Sequence, residues 1–203
     1  MSALAVSRLH FPVSSLGPGQ RLGLWVQGCS RGCPGCLAPE TWPQSAESIE
    51  IEDLLQSLIS WLPACQGLTV SGGEPFEQAE GLAEFLAAFR AICDVDILVY
   101  TGFEINEIEK PLSLMKNHID ALICGPFEAE RPATLALRGS DNQSLHLLTE
   151  RGRQRFAAYD RPWPEEERRL DLMTDERGGV WLAGIPRPGD LEKIRALASG
   201  KRP

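Results

Sequence analysis

Half of the six cysteines in this chain, Cys29, Cys33 and Cys36, fall in the single run Gly28-Cys-Ser-Arg-Gly-Cys-Pro-Gly-Cys36. Their spacing is C-x3-C-x2-C in a loop rich in Gly and Pro, short enough to wrap its thiolates around one face of a cubane cluster. Four thiolates saturate a [4Fe–4S] cluster, so three leave one iron open to bind and activate a small molecule. The alternatives are a zinc knot, a disulfide staple and ordinary buried thiols. Structural zinc takes four protein ligands, usually as separated Cys or Cys/His pairs. The histidines, His10, His118 and His146, all lie outside the loop. The other cysteines, Cys65, Cys93 and Cys124, stand alone in apolar or strand-like contexts and read as buried thiols.

A second motif is Gly67-Leu-Thr-Val-Ser-Gly-Gly-Glu-Pro75, an apolar strand running into a Gly-Gly-Glu-Pro turn. Two adjacent glycines let backbone approach a ligand closely, because no Cβ intervenes. Strand ends of this kind are where α/β folds place small-molecule sites. Alone the motif is weak, since Gly-Gly turns end many strands.

Taken with the upstream cysteines, it resembles the radical S-adenosylmethionine (SAM) enzymes. Leu24-Trp-Val-Gln-Gly-Cys29, Cys33-Pro-Gly-Cys36 and Ala38-Pro-Glu-Thr-Trp42 are similar to the activating proteins of anaerobic ribonucleotide reductase. So are Val99-Tyr-Thr-Gly-Phe103, Ile119-Asp-Ala-Leu-Ile-Cys-Gly-Pro-Phe127 and Leu137-Arg-Gly-Ser-Asp-Asn-Gln143, in consistent order over roughly residues 8–149. The resemblance implies that Cys29, Cys33 and Cys36 ligate a [4Fe–4S] cluster and that Gly72, Gly73 and Glu74 line the methionyl half of SAM. It also implies Thr101, Arg138 and Asn142 as contacts to SAM or substrate. A strand-end hydroxyl and a solvated polar turn are the plain readings of these three, and a carboxylate stabilised at a helix start is that of Glu74. No acid–base catalytic residue is singled out.

The implied chemistry is reductive cleavage of SAM to methionine and a 5′-deoxyadenosyl radical. In a glycyl-radical-enzyme activase this radical takes a Cα hydrogen from a glycine of a large partner protein, with electrons from a reductant such as flavodoxin or ferredoxin. Two other readings stay open: a radical SAM enzyme acting on a peptide or small molecule, and a non-enzymatic iron–sulfur sensor or electron carrier.

The elements that must hold these residues alternate. Strands are expected over Ala3–Val13, Leu22–Gln27, Leu68–Ser71, Asp94–Tyr100 and Ile119–Cys124. Helices are expected over Ser48–Trp61, Pro75–Cys93 and a short stretch ending near Asn117. Strand–helix alternation predicts an α/β fold with a parallel sheet, here a partial (β/α) barrel of radical SAM type with its site at the C-terminal strand ends. Residues 1–160 would form this core domain and 161–203 a C-terminal extension. The extension comprises the linker Pro162–Arg169, a β-hairpin turning through Asp175–Gly179, and a helix Asp190–Ala198 with Asp190 as a possible N-cap. It would cover a barrel edge, dock a partner, or close the barrel mouth over a small substrate.

At 203 residues, 43% hydrophobic and 24% charged, the composition is that of a globular protein. A formal net charge of −8 gives no electrostatic footprint for nucleic acid or an anionic membrane. There is no membrane-length apolar run, and the N-terminus lacks the pattern of a secretory signal. An oxygen-sensitive cluster with reduced thiols suits the cytoplasm.

Overall fold

A computed structural model describes residues 2–44, 47–174, 179–187 and 189–198. In chain order the elements are β1 (Ala3–Leu4), β2 (Val6–Val13), β3 (Arg21–Val26), β4 (Ile49–Glu50), α1 (Ile51–Leu58), β5 (Gly67–Gly72), α2 (Ala79–Ile92) and β6 (Asp96–Tyr100). They continue with α3 (Glu109–Met115), β7 (Ala121–Cys124), β8 (Ser144–Leu147), α4 (Glu150–Phe156), β9 (Leu170–Thr174), β10 (Val180–Gly184) and α5 (Asp190–Ala198).

The fold is mixed α/β around a six-stranded sheet of order β2-β3-β5-β6-β7-β8. Its centre, β3-β5-β6-β7, is parallel, as the strand–helix alternation requires. The expected all-parallel sheet is corrected at both edges, where β2 and β8 run antiparallel. β2 turns back into β3 through a short loop, leaving no room for a crossover helix, and β8 returns beside β7 from the Arg138–Gln143 block. The stretch Ala3–Val13 is two strands, because β1 peels off to pair with β4. Pairing of β4 also moves the first helix start from Ser48 to Ile51.

Strand residues alternate between two apolar layers. Leu22, Leu24, Val70, Ile97, Val99 and Leu122 pack against Leu54, Leu58, Leu82, Phe85 and Phe89 of α1 and α2. The residues pointing the other way are covered largely by the later chain. Leu98, Ala121 and Ile123 meet Phe156, Trp163 and Ile185, and Val13 and Trp25 meet Met173 and Ala183. The hairpin β9–β10 therefore seals the sheet face that the helices leave open.

Side-chain bonds fix this attachment. The Asp171 carboxylate accepts the N–H and hydroxyl of both Ser14 and Ser15 at 2.7–2.8 Å. Trp181 packs edge-on to Trp25, with ring centroids 5.1 Å apart. The hairpin turn expected at Asp175–Gly179 falls, for residues 175–178, outside the described residues. Asp190 opens α5, and its Oδ2 accepts the Arg187 N–H at 3.0 Å.

At the opposite, N-terminal ends of the strands sits a buried ion pair. The fully buried Arg21 guanidinium lies 2.6 Å from Asp96 Oδ1 and donates to Thr69 Oγ1 at 2.6 Å. It ties β3, β5 and β6 together at the end away from the cysteines. Gly67 makes room for it, since a Cβ there would come within 2.1 Å of Arg21 Nη1.

Candidate functional site

Four parallel strands end at one rim, and the loops after them enclose a cavity of about 660 Å³. β3 delivers the cysteine loop, β5 delivers Gly72-Gly73-Glu74, and β6 delivers Thr101 and Gly102. Cys29, Cys33 and Cys36 all line the cavity, as do Gly72, Gly73, Glu74 and Thr101. The three thiols are free and partly exposed, whereas Cys65, Cys93 and Cys124 are buried away from them. Burial pushes the Cys124 thiol up to about 12, which keeps it protonated and inert.

The cysteine loop is held by its backbone. Cys29 N–H donates to the Trp42 carbonyl at 3.1 Å and Gly28 N–H to that of Thr41 at 2.7 Å. Cys36 N–H donates to the Cys33 carbonyl at 3.1 Å, closing the turn between the last two thiols. Gly32 and Gly35 take positive φ of 54° and 77°, conformations that let a short loop present successive side chains to one side.

The Gly-Gly-Glu turn is joined to this loop. Gly73 N–H donates to Val26 and Glu74 N–H to Gly28, both at 2.8 Å. A Cβ on Gly73 would lie 2.1 Å from the Gly28 carbonyl oxygen. The second glycine therefore serves a contact between two backbones, in addition to any closeness to a ligand.

Glu74 is 1% exposed. Its Oε1 accepts Phe76 N–H at 3.0 Å and the Thr101 hydroxyl at 2.7 Å, and its Oε2 accepts Gly102 N–H at 2.7 Å. Burial raises the carboxyl above its ordinary pKa, and those three donors pull it back in part. Thr101 is thus committed to Glu74, fastening the end of β5 to the end of β6. Burial likewise raises the Cys29 thiol, partly offset by backbone donors at Gly32 and Arg31.

Arg138 and Asn142 are not brought to the cavity. Arg138 is buried and bonded to the Ala136 and Tyr159 carbonyls and, at 2.6 Å, to Asp160. Asn142 donates to the Pro126 carbonyl at 2.8 Å. From the same block it is Gly139 and Gln143 that face the cavity. Alternation within the turn sends neighbours to opposite sides, which the motif alone does not reveal.

Sequence reasoning missed two groups of residues. Glu77 accepts Ser30 N–H at 2.9 Å and the Ser30 hydroxyl at 2.5 Å, clamping the residue next to Cys29. Its spacing of three from Glu74, one turn along the same helical start, was the available signal. The other group is the extension: Arg168, Leu182, Ile185, Arg187 and Leu191 wall the cavity opposite the cysteines. The extension was expected at a barrel edge, a docking face or the barrel mouth, but nothing in the sequence singled out these residues within it.

The donor set fits a cluster. Three free thiols on one glycine-rich loop face a cavity large enough for a cofactor, and one thiolate per iron is what a [4Fe–4S] centre needs. Among the described residues no three His, Cys, Asp or Glu side chains are drawn around a single-ion position. No helix among them is long and apolar enough to cross a membrane.

Comparison with known proteins agrees with this geometry. A family profile described as a 4Fe-4S single cluster domain matches residues 15–146. The anaerobic ribonucleoside-triphosphate reductase-activating protein of Haemophilus influenzae is 37% identical over 146 residues, covering 68% of this chain and 94% of that one. The proteins of the same name from Escherichia coli K12 and Vibrio cholerae are 32% and 30% identical, each covered over 96% of its length. The crystal structure of QueE from Escherichia coli overlaps 49% of this chain and 53% of that one at 16% identity and a TM-score of 0.41, too loosely to bear on the fold. By its cysteine loop, the turn joined to it and its likeness to these relatives over nearly their whole length, the chain belongs to the family of anaerobic ribonucleoside-triphosphate reductase-activating proteins.

Proposed function

We propose that this chain is a radical SAM activase that generates a glycyl radical on an anaerobic ribonucleotide reductase. In this reading Cys29, Cys33 and Cys36 hold a [4Fe–4S] cluster, and Gly72, Gly73 and Glu74 form the methionyl side of the SAM site. Held there, the cluster would pass one electron from a flavodoxin- or ferredoxin-class reductant to SAM, breaking a sulfonium C–S bond to release methionine and a 5′-deoxyadenosyl radical, which would take the Cα hydrogen of a partner glycine and leave as 5′-deoxyadenosine. The cofactors carry this chemistry, and the protein binds, orients and excludes water.

One observation carries the reading. The cysteine loop and the Gly-Gly-Glu turn are joined through Gly28–Glu74 and open on one cavity. A bare electron carrier has no use for a cavity of this size beside its cluster. The roles of the chain's own groups follow. Thr101 and Gly102 pin Glu74, Glu77 pins Ser30, and backbone rather than side-chain polarity faces the cofactor space at Gly72-Gly73. Gln143 and Gly139 take the place first expected of Asn142 and Arg138.

The finer architecture belongs to the same proposal. The sheet is read as an open (β/α) barrel whose inner face holds the cavity, with residues 1–160 as its core and 161–203 as an extension packed on it. Flavodoxin or ferredoxin is the class of reductant, and the cytoplasm the compartment.

Anaerobic reconstitution tests the assignment. Cys→Ala at position 29, 33 or 36 should each abolish the brown chromophore and SAM cleavage, while Cys65→Ala keeps both. Stoichiometric zinc bound without iron would sink the cluster assignment. SAM cleavage with no radical on an added reductase would favour the reading of a peptide or small-molecule enzyme instead.

A further inference from the structure

The hairpin meets the cavity with the edge of one strand. Leu182, Ala183 and Gly184 of β10 all line the cavity, whereas no residue of β9 does. Successive side chains of a strand point to opposite faces, so a face alone would contribute every second residue. Ala183 is spent on the inner face, where it packs with Val13, Trp25 and Met173. Three lining residues in a row therefore put the edge of β10, and not one of its faces, at the cavity. β9 occupies the other edge, paired antiparallel from Val180↔Thr174 to Gly184↔Leu170.

The edge at the cavity is open. The hairpin is a two-stranded sheet of its own, and among the described residues no group outside β9 is bonded to the main chain of Val180–Gly184. Every second residue of an antiparallel strand turns both its N–H and its C=O away from the paired strand. Edges of this kind are ordinarily blunted by charge, proline or a bulge. Val180-Trp-Leu-Ala-Gly184 carries no charge and no proline, and its register against β9 is unbroken. A backbone edge left open beside a cavity is the complement of another extended backbone.

We propose that β10 takes up the glycine-bearing segment of the partner reductase as an added strand. The inference rests on the activase reading and deepens it by naming how the target glycine is presented. Glycine has no side chain for a pocket to hold, so backbone N–H and C=O groups are what such a segment always offers. An added strand would lie about 4.8 Å from β10, that much further into the cavity that Cys29, Cys33 and Cys36 also line. In that reading the radical forms in this cavity, so the open edge is continuous with the surface the partner must reach. The edge belongs to chain beyond the matched residues 15–146, and is a feature of this protein and not of the profile.

The test leaves the protein unaltered and changes the peptide. The full chain is reconstituted anaerobically and given SAM. The probes are a short peptide centred on the reductase glycine that takes the radical, and two twins N-methylated at alternate residues, one along each edge. Alternate N–H groups of a strand point the same way, so only one edge of the peptide can pair with β10. One twin should lose about tenfold or more in affinity for the hydrogen bonds removed, while the other stays within about threefold of the parent. Residue-resolved hydrogen exchange should show alternate β10 amides slowed by the parent peptide, with β9 unchanged. Absence of peptide binding, equal effects in both twins, or β10 exchange that the peptide leaves unchanged overturns the proposal. Slowing of β10 by SAM alone assigns the edge to SAM, and slowing that follows protein concentration without peptide assigns it to a second copy of this chain; either result overturns it. Absence of any radical on intact added reductase defeats the activase reading instead, and is read separately from the peptides.

Discussion

The backbone N–H of Glu74 donates to the carbonyl of Gly28, 2.8 Å away, so the turn after β5 is bonded to the residue that precedes the first cysteine of the loop. The two halves of the site are therefore mechanically one piece. A change in the Gly-Gly-Glu turn reaches the cysteine loop through this bond and through the Glu77–Ser30 pair beside it.

Gly73→Val should accordingly do more than block a ligand. Its Cβ would stand 2.1 Å from the Gly28 carbonyl oxygen, and backbone must move to relieve it. We expect iron content after reconstitution to fall along with the SAM response. Gly102→Ala is the control: the nearest atoms to its Cβ are Arg31 Cγ at 3.3 Å and Glu74 Oε2 at 3.4 Å, and a flexible arginine stem can give way. A Gly73→Val protein with full iron would show that the loop tolerates the shift.

Glu77→Ala should loosen the loop from the other side. It removes the acceptor for both Ser30 donors, leaving Cys29 tied only through backbone. Bonds to a charged group contribute about 1.5–3 kcal/mol, less where exposed as here. The expected result is faster iron loss to a chelator, several-fold over the unaltered protein, with Glu77→Gln in between. Equal chelation rates in all three would remove Glu77 from the clamp.

Thr101→Val deletes one of three donors to a buried carboxylate while keeping the shape of the side chain. Leaving a buried acceptor short of a partner costs roughly 1–3 kcal/mol. Thr101→Ser keeps the hydroxyl and should recover most of the loss. The thermal midpoints of the two variants decide the matter, and coincidence of Thr101→Val with the unaltered protein would contradict it.

Asp171 gives a pH dependence. Burial pulls its carboxyl up, but the donors of Ser15 and Ser14 outweigh that and hold it below the ordinary range. A lowered folded-state pKa means the attachment is fully present above the unfolded value of about 3.9 and is lost as pH falls through the folded one. Backbone exchange in β9 and β10 should therefore quicken below about pH 4, and Asp171→Asn should show the quickened rate at neutral pH. Exchange insensitive to both would leave the hairpin held by Trp181 and Met173 alone.

Much of this was legible in order along the chain. The cysteine spacing pointed to the loop, alternation of apolar strands and helices to β3, β5, β6 and β7, and Gly-Gly-Glu-Pro to the turn beside the loop. What escaped depends on long-range register. Ser144–Leu147 is a short, half-polar edge strand whose alternation is too brief to announce itself, and its pairing with β7 is antiparallel. The facing of Gln143 instead of Asn142 is a one-residue matter that only the turn geometry decides. Nothing in the local sequence sets Arg168 and Arg187 apart, since their place in a cavity wall depends on how the hairpin lies across Trp25.

The hairpin grips the sheet through Asp171 and Trp181 while the segment after it walls the cavity, so two equilibria share one set of coordinates. Whatever fills the cavity and touches both sides must tighten the extension's hold, by RT ln(1 + [L]/Kd) for a ligand that binds only the attached form. By the same reciprocity, a clipped or frayed extension lowers affinity for that ligand, even when every cysteine is intact. Resistance of the hairpin to protease thus becomes a measure of what the cavity holds.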